Sequence, residues 1–112
     1  DVEVVRARPH LERLAERMLS PAERAEWLTG DPAARTIDFL RLWTAKEAYL
    51  KAVGLGLVRP LASVPAERDG WTIVPIDLGP ELAASVAVEG AHRLAGVASW
   101  VPGAGVTLGA RW

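Results

Sequence analysis

Between Asp31-Pro32 and Gly54 the chain spells one long helix, and any fold must be built around it. Asp31 reads as an N-cap with proline at the first helical position. Gly54 reads as the C-terminal cap that stops the helix. The pattern therefore predicts a helix over residues 32–53. Projected at about 100° per residue, residues 39–53 place Phe39, Leu42, Trp43, Tyr49, Leu50 and Val53 on one apolar stripe. Lys46 falls near the middle of that stripe, away from the wet face. Glu47 and Lys51, four apart, lie at its edge.

Lys46 and Lys51 are the only lysines in the chain, and every other permanent cation is arginine. Lysine is a compact point charge on a flexible stem, and arginine is a planar fork, so a site that needs the first is not served by the second. Two lysines kept beside a carboxylate in an arginine-rich chain mark this helix as the first place to look for chemistry. Plainer readings stand next to that one. Glu47 and Lys51 have the order of an ordinary surface ion pair along a helix. Lys46 could bury its stem and wet its head.

The remaining sequence narrows the class. Its 112 residues, 50% of them hydrophobic, are read as one domain, residues 1–112, with a modest core. A net charge of −1 argues against a nucleic-acid binder held by bulk electrostatics. With no cysteine there is neither a disulfide framework nor a thiolate metal site. No apolar run approaches membrane-spanning length and no signal peptide precedes the fold, so no membrane partner is expected and a cytoplasmic location is the default. Asp1-Val2-Glu3-Val4-Val5 already reads as strand, which points to a fragment, or to one half of something larger.

In that opening strand Asp1 and Glu3 share one face, leaving Val2 and Val4 to face the core. Two like charges side by side call for solvent or a cation between them; a solvated edge strand is the plain alternative. Residues 9–19 make a short amphipathic helix with Leu11, Leu14 and Met18 as its seam. Ser20-Pro21-Ala22-Glu23 spells a capping box that opens a second helix, running through Leu28. Residues 71–77 read as a strand, with Pro75 suited to a sheet edge. Residues 85–89 and 94–101 read as two more strands joined by a turn at Gly90-Ala91-His92-Arg93. Residues 102–112 read as a loop or a short final strand. The order is an N-terminal strand, three helices, then antiparallel strands packed on the long helix, an α+β fold with its helices on one face of a sheet. His10 and His92 lack ligand spacing and read as surface residues. Trp43 should pack the long helix onto the sheet.

Three segments carry a family resemblance: Asp1-Val2-Glu3, the run from Trp43 to Ala52, and Gly54-Leu55-Gly56-Leu57. In order and spacing they closely resemble the 4′-phosphopantetheinyl transferases, over nearly the whole chain. The tryptophan-led spelling resembles the surfactin-synthetase-activating type, whose enzymes join two similar halves, and this chain matches the second half. The resemblance implies a 4′-phosphopantetheinyl transferase-like fold. It also implies magnesium-dependent transfer of the phosphopantetheine arm of coenzyme A to a serine of an apo acyl or peptidyl carrier protein, with release of adenosine 3′,5′-bisphosphate.

The resemblance assigns roles residue by residue. The counterparts of Asp1, Glu3 and Glu47 hold Mg2+, an ion that takes oxygen ligands. Glu23 is a further candidate, for which the capping box competes. Lys51 contacts the coenzyme A pyrophosphate, with Lys46 helping at the same site; the alternative for Lys46, from its central place on the apolar stripe, is a buried structural ion pair. Glu47, or a water it holds, is the candidate base for the carrier serine. Gly54 and Gly56 let the backbone turn sharply beside the coenzyme. The implied partners are coenzyme A, the carrier protein, and a second half-domain or further copies of the chain. The alternative is a non-catalytic half-domain that docks a carrier protein or pairs with a separate N-terminal half. Polyketide, nonribosomal peptide and fatty acid synthesis all use such carriers, and the sequence does not choose among them.

Overall fold

The computed structural model describes residues 1–54, 60–65, 68–103 and 105–108. Along them run β1 (Val2–Val4), α1 (Leu11–Met18), α2 (Pro21–Thr29), a 3-10 turn (Pro32–Ala34) and α3 (Arg35–Val53). A second 3-10 turn (Leu61–Ser63) follows, then β2 (Trp71–Ile76), β3 (Leu82–Glu89), β4 (Ala98–Val101) and β5 (Gly105–Leu108). The α+β class and the three helices are as expected from the sequence. No described helix is long and apolar enough to cross a membrane.

α3 forms where the pattern put it, with its first turn tightened. Asp31 accepts the Ala33 amide at 2.9 Å and Pro32 follows, so residues 32–34 close as a 3-10 turn before the α-helix begins at Arg35. Gly54 ends the helix at φ 74°, a left-handed conformation that costs glycine little. The single apolar stripe, however, understates the burial. Leu40, Thr44 and Ala48 are buried as well as Phe39, Lys46, Tyr49 and Leu50. α3 lies between α1 and α2 on one side and the sheet on the other, so two of its faces are covered.

Two apolar clusters fasten it there. Toward its start Phe39 and Leu40 pack with Ala15, Leu19, Trp27 and Ala83. Trp27, Phe39 and Trp43 stack in series, with centroids 6.0 and 5.8 Å apart. Toward its end Tyr49 and Leu50 pack with Val64, and Trp71, Ile73 and Ala87 of the sheet close over them.

The sheet has the order β1-β3-β2, antiparallel throughout, so Pro75 sits on an edge strand as its missing amide requires. Three expectations change. β3 begins at Leu82 rather than residue 85, because Leu82, Ala83 and Ala84 pair with Val4, Glu3 and Val2. Alanine is a weak strand former, and only the distant partner makes this stretch a strand. β4 begins at Ala98 rather than residue 94 and pairs with β5 in a separate two-stranded sheet, so the strands on either side of Gly90-Ala91-His92-Arg93 do not pair with each other.

The third change matters most for the site. Val2 and Val4 are not core residues: they are 54% and 53% exposed. Residues directly opposite in an antiparallel pair share a face. Asp1 and Ser85 exchange backbone hydrogen bonds at 2.7 and 2.9 Å, and the Ser85 hydroxyl lies 3.0 Å from Thr44 of α3. The face holding Ser85 is therefore the helix face, and Asp1 and Glu3 point to it. The valines take the opposite, open side.

Candidate functional site

The site grows from that inversion. The Thr44–Ser85 contact sets where α3 crosses β3, and the Asp1–Ser85 pair hangs β1 beside it. Asp1 then stands over the last turns of α3. Its carboxylate pairs with Lys51, and the side chain is only 6% exposed while Lys51 is 62% exposed. The second carboxylate oxygen, Oδ2, is buried without a hydrogen-bond partner among the described residues. A buried carboxylate oxygen left bare is costly, and a cation would satisfy it. The backbone nitrogen of Asp1 donates to the Ser85 carbonyl.

Glu3 points the same way from β1. Its Oε2 lies 3.4 Å from Nη2 of Arg8, whose guanidinium lies over the Trp43 ring at 5.2 Å from the centroid. Trp43, Glu47 and Lys51 follow one another at intervals of four along α3 and so share a face. Glu47 is half-buried there and has no ionic partner among the described residues. The plain Glu47–Lys51 surface pair does not form, because Lys51 turns to Asp1.

Lys46 and Glu23 are placed elsewhere. Lys46 is completely buried and all three of its N–H groups are used: to Glu23 Oε1 at 2.5 Å, Met18 O at 3.0 Å and Leu61 O at 3.1 Å. An ammonium so enclosed has no donor left for a coenzyme. Of the two readings of Lys46, the structure shows the buried ion pair: it is a staple joining α1, α2, α3 and the second 3-10 turn. Glu23 completes that staple and the capping box together, since its Oε1 also accepts the Ser20 amide at 2.7 Å. Gly54 is the cap of α3, with open space where a side chain would begin. Gly56 lies outside the described residues.

The described residues contain no group of three or more Asp, Glu, His or Cys side chains close enough to hold a metal ion. Asp1 and Glu3 each carry a cation instead, Lys51 and Arg8. The donor chemistry still fits a hard, oxygen-seeking ion: carboxylates only, with one buried oxygen bare. Sequence reasoning passed over Arg8. Nothing in its neighbourhood, Arg6-Ala7-Arg8-Pro9, distinguishes it, and only the fold brings it back onto Trp43.

Of the expected site residues, the structure brings Asp1 and Lys51 into contact, with Glu3 on the same face of β1 and Glu47 on the same face of α3 as Lys51. A family model described as the 4′-phosphopantetheinyl transferase superfamily matches residues 1–100. The chain belongs to this superfamily. A holo-[acyl-carrier-protein] synthase from Geobacillus kaustophilus is 40% identical over 91 residues, covering 64% of this chain and 69% of that protein. A 4′-phosphopantetheinyl transferase from Bacillus subtilis is 30% identical over 82 residues, 71% of this chain and 37% of that protein. The transferase HetI from Nostoc is 32% identical over 100 residues, 80% of this chain and 42% of that protein. The chain thus spans less than half the length of the two longer relatives, and only 23% of a Synechocystis relative. No solved structure matches it.

Proposed function

We propose that this superfamily member transfers the 4′-phosphopantetheine arm of coenzyme A to a serine of an apo acyl or peptidyl carrier protein, in the cytoplasm. The carrier serine oxygen bonds to the pantetheine-side phosphorus. The phosphoanhydride bond breaks, and adenosine 3′,5′-bisphosphate leaves. Glu47, on the helix face and without an ionic partner among the described residues, takes the serine proton. Lys51 moves from Asp1 to the pyrophosphate, where a flexible ammonium can follow oxygens that change position during transfer. Asp1, Glu3 and Glu47 would hold Mg2+, which when bound offsets charge on the pyrophosphate. Glu23 is left to the staple with Lys46.

The observation that carries this reading is the placement of Asp1 against Lys51. It brings β1, read from one end of the sequence, onto the helix face that holds Glu47. The tryptophan-led motif supports the surfactin-synthetase-activating type within the superfamily. The test is to incubate the chain with coenzyme A, Mg2+ and an apo carrier protein and to weigh the carrier by mass spectrometry. Gain of the phosphopantetheine mass, lost in Glu47→Gln, is the expected result.

A second reading has its own support. The chain covers only 37% and 42% of the Bacillus and Nostoc transferases, so it can be half of a catalytic unit. It would then dock a carrier protein or pair with a separate N-terminal half. In that case the carrier gains mass only when that half is supplied.

A further inference from the structure

We infer that Arg8 is a stand-in cation for Glu3, holding that carboxylate until a divalent ion displaces the guanidinium. The inference rests on the proposed sharing of one ion by Asp1, Glu3 and Glu47, and it adds a residue to which no motif or comparison gives a role.

Arg8 is mostly buried, and its guanidinium carbon lies over the Trp43 ring, 5.2 Å from the centroid, while Trp43 itself packs on Phe39 at 5.8 Å. A planar cation on an aromatic face is held by that face as well as by any hydrogen bond. The hydrogen bonding is thin. Among the described residues the Arg8 side chain reaches one acceptor, Glu3 Oε2, at 3.4 Å, while Arg8 Nε and Trp43 Nε1 are buried without partners. Arg8 is therefore parked by a cation–π contact and only loosely tied to the carboxylate. It can leave Glu3 without losing its seat. Trp43 is one turn before Glu47 on the same face of α3, so the parked charge stands next to the ligand set that the ion would use.

Two effects of removing the Arg8 charge oppose each other. A unit charge bonded to one ligand of a divalent ion weakens the binding of that ion by roughly tenfold, even at the permittivity of water. Losing a long, partly exposed pair that orients Glu3 weakens binding by up to about fivefold. The first effect wins, so neutral variants should bind the ion more tightly.

The experiment titrates the 112-residue chain with Mn2+ alone, at low ionic strength, by calorimetry, after circular dichroism has shown each variant folded. Arg8→Met keeps an apolar, polarizable contact on Trp43, and Arg8→Gln is a second neutral variant should methionine not fold. Both are expected to bind Mn2+ about twofold to tenfold more tightly than the parent chain. Arg8→Lys keeps the charge and should stay near the parent affinity. Equal or weaker binding by the neutral variants, with the parent chain binding normally, overturns the role of Arg8 and leaves the shared-ion reading standing. No Mn2+ binding by parent or variants overturns both.

Discussion

Methionine in place of Lys46 should unfold this domain far more easily while touching no ligand. The ammonium is completely buried, donates to Glu23, Met18 and Leu61, and so joins four segments of the chain. Methionine fills most of the volume but leaves one carboxylate and two carbonyls short of a donor. Removing one partner of a buried ion pair costs about 3–5 kcal/mol. The lower end applies here, because Glu23 is 19% exposed and keeps its bond to the Ser20 amide. About 3 kcal/mol is a large part of the roughly 5–15 kcal/mol available to a domain of this size. It corresponds to a fall in Tm of about 12 °C or more. Thermal and urea unfolding followed by circular dichroism would measure it. Lys46→Met combined with Glu23→Gln should lose less than the two single changes added together, by about 1–3 kcal/mol, since the stranded charge is then gone. A Lys46→Met variant within about 1 kcal/mol of the parent, but unable to bind coenzyme A, would refute the staple and return Lys46 to the ligand site.

Other expectations separate chemistry from packing. Lys51→Ala should change stability by less than about 1 kcal/mol, because the lysine is 62% exposed, yet reduce carrier modification by about a hundredfold or more in a mass-spectrometric assay. Glu47→Gln should abolish modification with no fall in Tm, as expected for a carboxylate without an ionic partner among the described residues. Chelation by EDTA should stop transfer, and added Mg2+ should restore it; activity that survives chelation would remove the ion from the reaction. Phe39→Ala should cost about 3–5 kcal/mol in urea unfolding, because Phe39 is fully buried between Trp27 and Trp43.

Much of this was legible in the sequence where the cause is local. Asp31-Pro32 and Gly54 bounded α3, and Ser20 with Glu23 announced a capping box that forms as written. Lys46 was marked as buried by its place on the apolar stripe, but its partners on α2 and the second 3-10 turn were not, since they lie 23 and 15 residues away. The face of β1 was read backwards for the same reason. Alternation shows that Asp1 and Glu3 share a side, but only the register against Ser85 shows which side meets the helix. A valine-in, acid-out rule fails at a strand whose acids have cations waiting for them. The first half of β3 was missed because alanines become a strand there only through pairing with β1.

The central claim is that β1 and α3 bring three carboxylates around one ion beside Lys51. Crystals grown with MnCl2 and coenzyme A would test it by anomalous diffraction. One manganese peak in contact with the carboxylates of Asp1, Glu3 and Glu47, with the Lys51 ammonium on the pyrophosphate and Arg8 withdrawn from Glu3, is the expected map. A bound coenzyme with no manganese peak at these carboxylates, or a peak on Asp1 and Glu3 with Glu47 turned away, would contradict it.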